Sequence, residues 1–295
     1  MARRSTLEIA EPKLIEYFAK IPGKILSHDQ IAEILEEQRE AWHLANSVTA
    51  NKLLDFLATK TQLQEIQIKF PSTIIPNFNR FFWGDSSPLA IASSLKPEYY
   101  FSHYSAMSLQ HLTEQVPKII YLTWEQTEKA RNIKPLEQRK IDWAFSQSPR
   151  ISQNLASLND YKICILYGMH TGGLGIIRSE GPEGEKLRVT NVERTLIDIT
   201  VRPFYAGGVF EVLKAFKLAK DQVSINKLAA TLKKIGYVYP YHQAIGFYLE
   251  RSGVYKESSI DIFRRMDKNY DFYLTYQIRD KEYSKDWRLF YPKGL

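Results

Sequence analysis

Cysteine is almost missing from this chain: Cys164 is the only one in 295 residues. An internal disulfide is therefore excluded, and Cys164, inside the apolar run KICILY, is read as a small core hydrophobe. Long apolar runs are missing too. No stretch approaches the ~20 residues that a bilayer-spanning helix needs. The opening MARRSTLEIAEPK carries two arginines but no apolar core of a secretory signal, so a cytoplasmic protein is expected. The spacings that announce chemistry are scarce as well. His103 and His111 lie outside the i, i+4 spacing of a helical metal pair, and no HExxH accompanies them. Gly172, Gly173 and Gly175 lack the spacing and the following helix of a dinucleotide loop, and GK[ST] is absent. No Ser/His/Asp, Cys/His or paired-carboxylate set emerges, and Glu193, Arg194 and Asp198 read as contacts within one helix. We therefore expect no enzyme, no cofactor and no metal site.

The chain has the apolar and charged proportions of an ordinary globular protein, 44% and 25%, with 18 Tyr and 15 Phe to fill a core. Its length allows two domains at roughly 150 residues each. Net charge is +7, unevenly spread. Residues 1–84 and 85–199 are each balanced, so the whole excess lies in residues 200–295. An acidic partner would meet that last third most favourably.

Residues 11–20 place Leu14, Ile15, Phe18 and Ala19 at helical spacing, with Pro12 in a first turn. Pro22-Gly23 ends that helix, and Ser27 caps a second one that buries Ile31, Ile34 and Leu35. Residues 47–59 form a third, capped by Ser47 or Thr49, with Leu53, Leu54 and Leu57 inward. LQEIQIKF, a Pro-containing loop and RFFWG then make a β-ribbon. Three short helices and a ribbon within residues 1–84 read as a winged helix-turn-helix. Residues 85–295 read as a larger mixed α/β domain, and the fold class expected is α+β.

In that reading residues 47–59 are a recognition helix. Ser47, Thr49, Asn51, Lys52, Asp55 and Lys60 point outward. Asn can pair bidentately with adenine, Ser and Thr can bond bases or phosphates, and Lys neutralises phosphate. Lys69 and Arg80 flank the wing, and Arg3 and Arg4 form a basic arm. Against DNA binding stand the balanced charge and the acidic Glu36, Glu37 and Glu40, which suit a helical module for protein contacts equally well.

Further on, Tyr99–Phe101 reads as a strand, Ser102 or Ser105 as a helix cap, and IIYLTW as a strand. IDWAFSQ and KICILYGMH read as further strands, and GIIRSEGPEGEKLRVT as a hairpin turning at Gly181-Pro182. VTNVERTLIDITVRPFYAGGVFEVLKAF reads as two helices joined at Pro203 and Gly207-Gly208. Helices then dominate, ending at Gly236 and Gly253, before two strands joined by RDKEYSKD. Lys214, Lys217, Lys220, Lys227, Lys233 and Lys234 are expected to form a basic surface for DNA or a partner.

Two stretches carry a family resemblance. Ser102 to Ala106 followed by Leu112 to Pro117, and Arg194 to Asp198 followed by Pro203 and Ala206 to Gly208, resemble the AbiEi-type antitoxins of type IV (abortive infection) toxin–antitoxin systems. The likeness covers about residues 10–260 in the same order, including the N-terminal winged helix. It implies a DNA-binding antitoxin that represses its own operon at inverted repeats in promoter DNA. It implies as partner a nucleotidyltransferase-like toxin encoded in the same operon, with no membrane involved. It offers no catalytic residues. A protein-interaction module whose winged helix serves assembly is the alternative, and a nuclease would need clustered metal ligands that the sequence does not supply.

Overall fold

The computed structural model describes residues 4–20, 25–128 and 135–295. The architecture is α+β, and the chain divides into two compact units. The first holds residues 1–97 with 154–161, and the second holds 98–153 with 162–295. The boundary expected at Gly84 thus moves past the short helix that follows it.

In the first unit, α1 (Thr6–Ala19) starts well before Glu11. Its cap is reciprocal: Glu8 N–H donates to Ser5 Oγ at 3.2 Å, and Ser5 N–H donates to Glu8 Oε2 at 2.7 Å. Pro12, expected in the first turn, therefore lies inside the helix, on its exposed side. The inward stripe is Ala10, Leu14 and Phe18, one residue per turn, whereas Ile15 and Ala19 face outward. A strand absent from the sequence reading, β1 (Ile25–Leu26), precedes α2 (His28–Gln38). Ser27 caps α2 in a second capping box, with Gln30. Arg39 holds the turn after it by donating to Ala45 O at 2.8 Å and Val48 O at 3.1 Å.

α3 (Ala50–Lys60) begins at Thr49, whose hydroxyl accepts from Lys52 N–H. The hairpin β2 (Leu63–Ile68) and β3 (Phe78–Trp83) follows, and β1 pairs with the outer side of β3 in the order β1-β3-β2, all antiparallel. Leu14, Phe18, Ile31, Leu35, Leu53, Leu57 and Phe81 pack as one core. α4 (Pro88–Ser93), capped by Ser87, closes this unit, to which β6 (Leu155–Leu158) returns.

The second unit opens with β4 (Tyr100–Phe101), α5 (His103–Leu109) and β5 (Ile119–Glu125). IDWAFSQ, expected as a strand, is instead part of α6 (Gln138–Ser146). Ile141 and Phe145 are buried one turn apart while Trp143 is 69% exposed, a one-sided helical pattern that a short window confuses with alternation. After β7 (Tyr161–Gly168), β8 (Ile176–Glu180) and β9 (Lys186–Thr190) form the expected hairpin, closed by Gly181 N–H to Glu185 O at 2.8 Å. Strands run in the order β7-β5-β4-β9-β8, with β7∥β5 and β4∥β9 parallel and the other pairs antiparallel.

α7 (Val192–Val201) lies against this sheet and is buried from Glu193 through Thr200. A 3-10 turn, Pro203–Tyr205, then leads through Gly207 and Gly208, both at positive φ, into α8 (Val209–Leu218). α9 (Ile225–Ile235), α10 (Tyr241–Ser252) and α11 (Glu257–Arg264) complete the helical layer. The tail holds three strands where two were expected: β10 (Phe272–Tyr273), β11 (Lys281–Ser284) and β12 (Leu289–Pro292). The segment RDKEYSKD is therefore no simple loop, because its KEYS pairs with Leu289–Pro292. Among the described residues no helix is long and apolar enough to cross a membrane.

Candidate nucleic-acid interface

The first turn of α3 presents its polar residues outward because Ala50, Leu53, Leu54 and Leu57 bind the opposite face to the core. Ser47, Thr49, Asn51, Lys52 and Asp55 are all exposed. Three hydrogen bonds order this turn, two of them local. The Thr49 hydroxyl accepts from Lys52 N–H at 3.4 Å, and Lys52 Nζ donates to Ser47 O at 3.0 Å. Asn51 Oδ1 lies 2.7 Å from His28 Nε2, so with this amide orientation the ring nitrogen is the donor.

His28, the first residue of α2, escaped the sequence reading. Only the crossing of α2 and α3 brings it beside Asn51, and nothing in the local pattern of HDQIAEIL announces that.

Lys60 is exposed in the last turn of α3, where a cation also complements the helix dipole. Lys69, just past β2, and Arg4, just ahead of the Ser5 cap, are exposed as well. Arg3 lies outside the described residues.

Arg80 is a correction. Expected at the wing surface, it is only 7% exposed. Its guanidinium donates to Ser94 O at 3.2 and 3.0 Å, to Leu95 O at 2.8 Å and to Asn79 O at 2.8 Å, and it stands over the Phe78 ring. Burial lowers its pKa from the ordinary value. The position falls on the inward side of β3 beneath the end of α4, where five N–H donors satisfy carbonyls that a helix end leaves open. A phosphate cannot reach it there.

The six lysines of the second unit are all exposed but unequal. Lys214 pairs with Glu211 at 3.5 Å. Lys227 reaches Glu193 at 3.1 Å, a buried carboxylate that also accepts from Ser224 N–H. Lys217 sits in the last turn of α8, and Lys233 and Lys234 in the last turn of α9, where the helix dipole favours cations. Lys220 follows the end of α8. Two of the six thus have partners inside the unit, and three sit where a helix end already favours a cation.

The buried polar set of the second unit centres on α7. Arg194 Nε donates to Asp198 Oδ1 at 2.8 Å, and its Nη1 donates to Leu174 O at 2.7 Å and Thr171 Oγ1 at 3.1 Å. Burial opposes the Arg194 charge, but Asp198 together with the Tyr100 and Tyr237 hydroxyls outweighs that and holds its pKa above the ordinary value. Glu125 at the end of β5 accepts from Thr171 N–H at 2.8 Å, Gly173 N–H at 3.3 Å and the Thr171 hydroxyl. Burial pushes the Glu125 carboxyl up, yet these donors leave it net below its usual range.

The glycine-rich loop therefore spends its amides on an internal carboxylate. Gly175, at φ +78°, lies so close that a Cβ would meet Arg194 Cβ at 2.7 Å. His103 is buried, with Nδ1 at 2.9 Å from Ser102 Oγ. Burial, aided by Arg202 and Arg194, pushes its pKa well below the ordinary value. These groups satisfy one another and tie loop, sheet and helix together. Among the described residues no group of three or more His, Cys, Asp or Glu is placed to hold a metal ion.

No known family model matches this chain, and no curated protein is similar to it in sequence. Among solved structures it is similar to the crystal structure of the RV2827C protein from Mycobacterium tuberculosis. The TM-score is 0.58 at 10% identity, over 98% of this chain and 92% of that one. At that identity the likeness concerns the fold alone.

Proposed function

We propose that the chain is a DNA-binding antitoxin of the AbiEi type, which represses its own operon and counters a nucleotidyltransferase-like toxin encoded beside it. One observation carries the DNA-binding part. The order α1-β1-α2-α3-β2-β3 with a β1-β3-β2 sheet supports a winged-helix reading of the first unit. It leaves the polar first turn of its third helix exposed, with Asn51 and Lys52 upon it. The resemblance of Ser102–Pro117 and Arg194–Gly208 to the antitoxin pattern supports the rest.

The interface then consists of Arg3, Arg4, Ser47, Thr49, Asn51, Lys52, Lys60 and Lys69, without Arg80. The test is a mobility-shift titration of the upstream region against scrambled duplex at several salt concentrations. Selective binding whose log affinity falls linearly with log salt is expected. Equal affinity for the two duplexes would sink the reading.

A second reading, a protein-interaction module, is favoured by the inward turn of Arg80, which removes one of the two cations assigned to the wing. It predicts no retardation of any duplex at low salt.

A further inference from the structure

The second unit has an open hollow of about 500 Å³ between the end of α9, the start of α10 and the end of α11. Its volume lies within the ~300–1,000 Å³ common for small-molecule clefts. One wall is aromatic and apolar. Tyr237 and Tyr241 meet edge to face at 5.3 Å, Tyr239 and Tyr241 at 6.2 Å, and Leu232 and Met266 continue the surface.

Two cations, Lys233 and Arg265, line the same hollow. Both are exposed, and among the described residues neither has a carboxylate within ion-pair distance. Asp267 lines it too, but its carbonyl, not its carboxylate, meets His242 Nε2 at 2.9 Å. That contact makes Nε2 the donor and leaves Nδ1 of a neutral ring as an acceptor.

We propose that this hollow binds a nucleoside monophosphate, with the base against the tyrosine and methionine wall and the phosphate between Lys233 and Arg265. A flat base can lie against the apolar surface that half-buried Tyr237, Tyr239 and Met266 give to the hollow, while Tyr241 backs them from the core. A phosphate satisfies two cations that have no ion-pair partner among the described residues, through charge-assisted hydrogen bonds. The Asp267 carboxylate and His242 Nδ1 are acceptors for a sugar hydroxyl or an exocyclic amine. Neither an inorganic anion nor an apolar ligand uses both halves. This site is independent of the DNA-binding reading, since it lies wholly in the second unit.

The test is calorimetric titration of the full chain with AMP, CMP, GMP and UMP, beside adenosine and inorganic phosphate. At least one monophosphate should bind, with adenosine and phosphate each at least about tenfold weaker, the effect of losing one strong contact. Lys233→Ala and Arg265→Ala should each weaken binding by about tenfold, and Lys52→Ala should leave it unchanged. Both cations are exposed, so the variants should melt like the parent chain. As a reading that needs no variant, tyrosine ring resonances of the unaltered protein should shift on titration with the bound nucleotide. Absence of binding by all four nucleotides would overturn the proposal. So would full affinity in the Lys233→Ala/Arg265→Ala double variant, or inorganic phosphate binding as tightly as the nucleotide.

Discussion

His28 Nε2 donates to Asn51 Oδ1 across 2.7 Å, from the start of α2 to the first turn of α3. The bond occupies one face of the Asn51 carbonyl oxygen and leaves the amide N–H₂ free. Adenine recognition by asparagine uses both ends of the amide at once. With its oxygen held by His28, Asn51 offers chiefly donors, which suit the N7 and O6 acceptors of guanine or N7 of adenine.

On the DNA-binding reading, His28→Ala should therefore change base preference at one operator position per half-site. Asn51→Ala should abolish preference there, at a cost of about 1–3 kcal/mol for the favoured base. Titrations against duplexes substituted at each half-site position check this. An unchanged preference profile in His28→Ala would show that Asn51 is not oriented by this bond.

Arg80 and Lys52 should separate cleanly. Arg80→Ala leaves the carbonyls of Ser94 and Leu95 without donors and should destabilise the first unit by roughly 2–4 kcal/mol. It should not alter the salt dependence of DNA binding by folded protein. Lys52→Ala should cost little stability but reduce the slope of log affinity against log salt by about 1. Urea melts and salt titrations of both variants measure this. A reduced slope in Arg80→Ala would return Arg80 to the DNA surface.

Gly246, in the middle of α10, faces the ring of fully buried Trp287, and a Cβ there would meet Cζ3 at 2.0 Å. Trp287 cannot retreat easily. Its Nε1 donates to Glu250 Oε2 at 2.8 Å, and Gln243 Nε2 donates to its carbonyl at 2.7 Å. Gly246→Ala should cost about 3 kcal/mol despite alanine's better helix propensity, because overpacking outweighs the roughly 1 kcal/mol propensity gain. In Trp287→Leu the same glycine substitution should cost far less, a coupling that a double-mutant cycle in urea would measure. Additive losses would mean that the ring does not set the constraint.

His103 should govern stability on the mildly acidic side. Its folded-state pKa is depressed by burial, so the unfolded chain takes up the proton more readily. The contribution is complete above the unfolded value near 6.5 and is lost as pH falls below it, by up to about 1.4 kcal/mol per pH unit. Glu125, also depressed, adds its own loss only at lower pH, below the ordinary carboxylate value of 4.5. His103 has φ +51°, a conformation asparagine tolerates better than most residues. His103→Asn should therefore flatten melting temperature against pH between 7 and 5. A slope equal to that of the parent chain would assign the titration elsewhere.

Much of this protein follows from its sequence by local physics. The Ser27 cap, the inward leucines of α3, the β8–β9 hairpin and the Gly207-Gly208 turn are short-range matters. Each is settled by a backbone angle, a nearby hydroxyl or a period of apolar residues. The α+β class follows from summing them.

What tertiary structure alone decided is which polar groups remain available. Arg80 and Lys69 look alike in the sequence, yet β3 turns Arg80 under α4 while Lys69 stays in water. Lys227 and Lys234 stand on one helix, but only Lys227 has the buried Glu193 within reach. Glu125 and Thr171 are distant in the chain, and only the parallel pairing of β5 with β7 brings them together. A buried charge must find a partner, and the partner comes from another element whose position no local pattern encodes. His28 beside Asn51, and Tyr237 and Arg265 on the lining of one hollow, are decided in the same way.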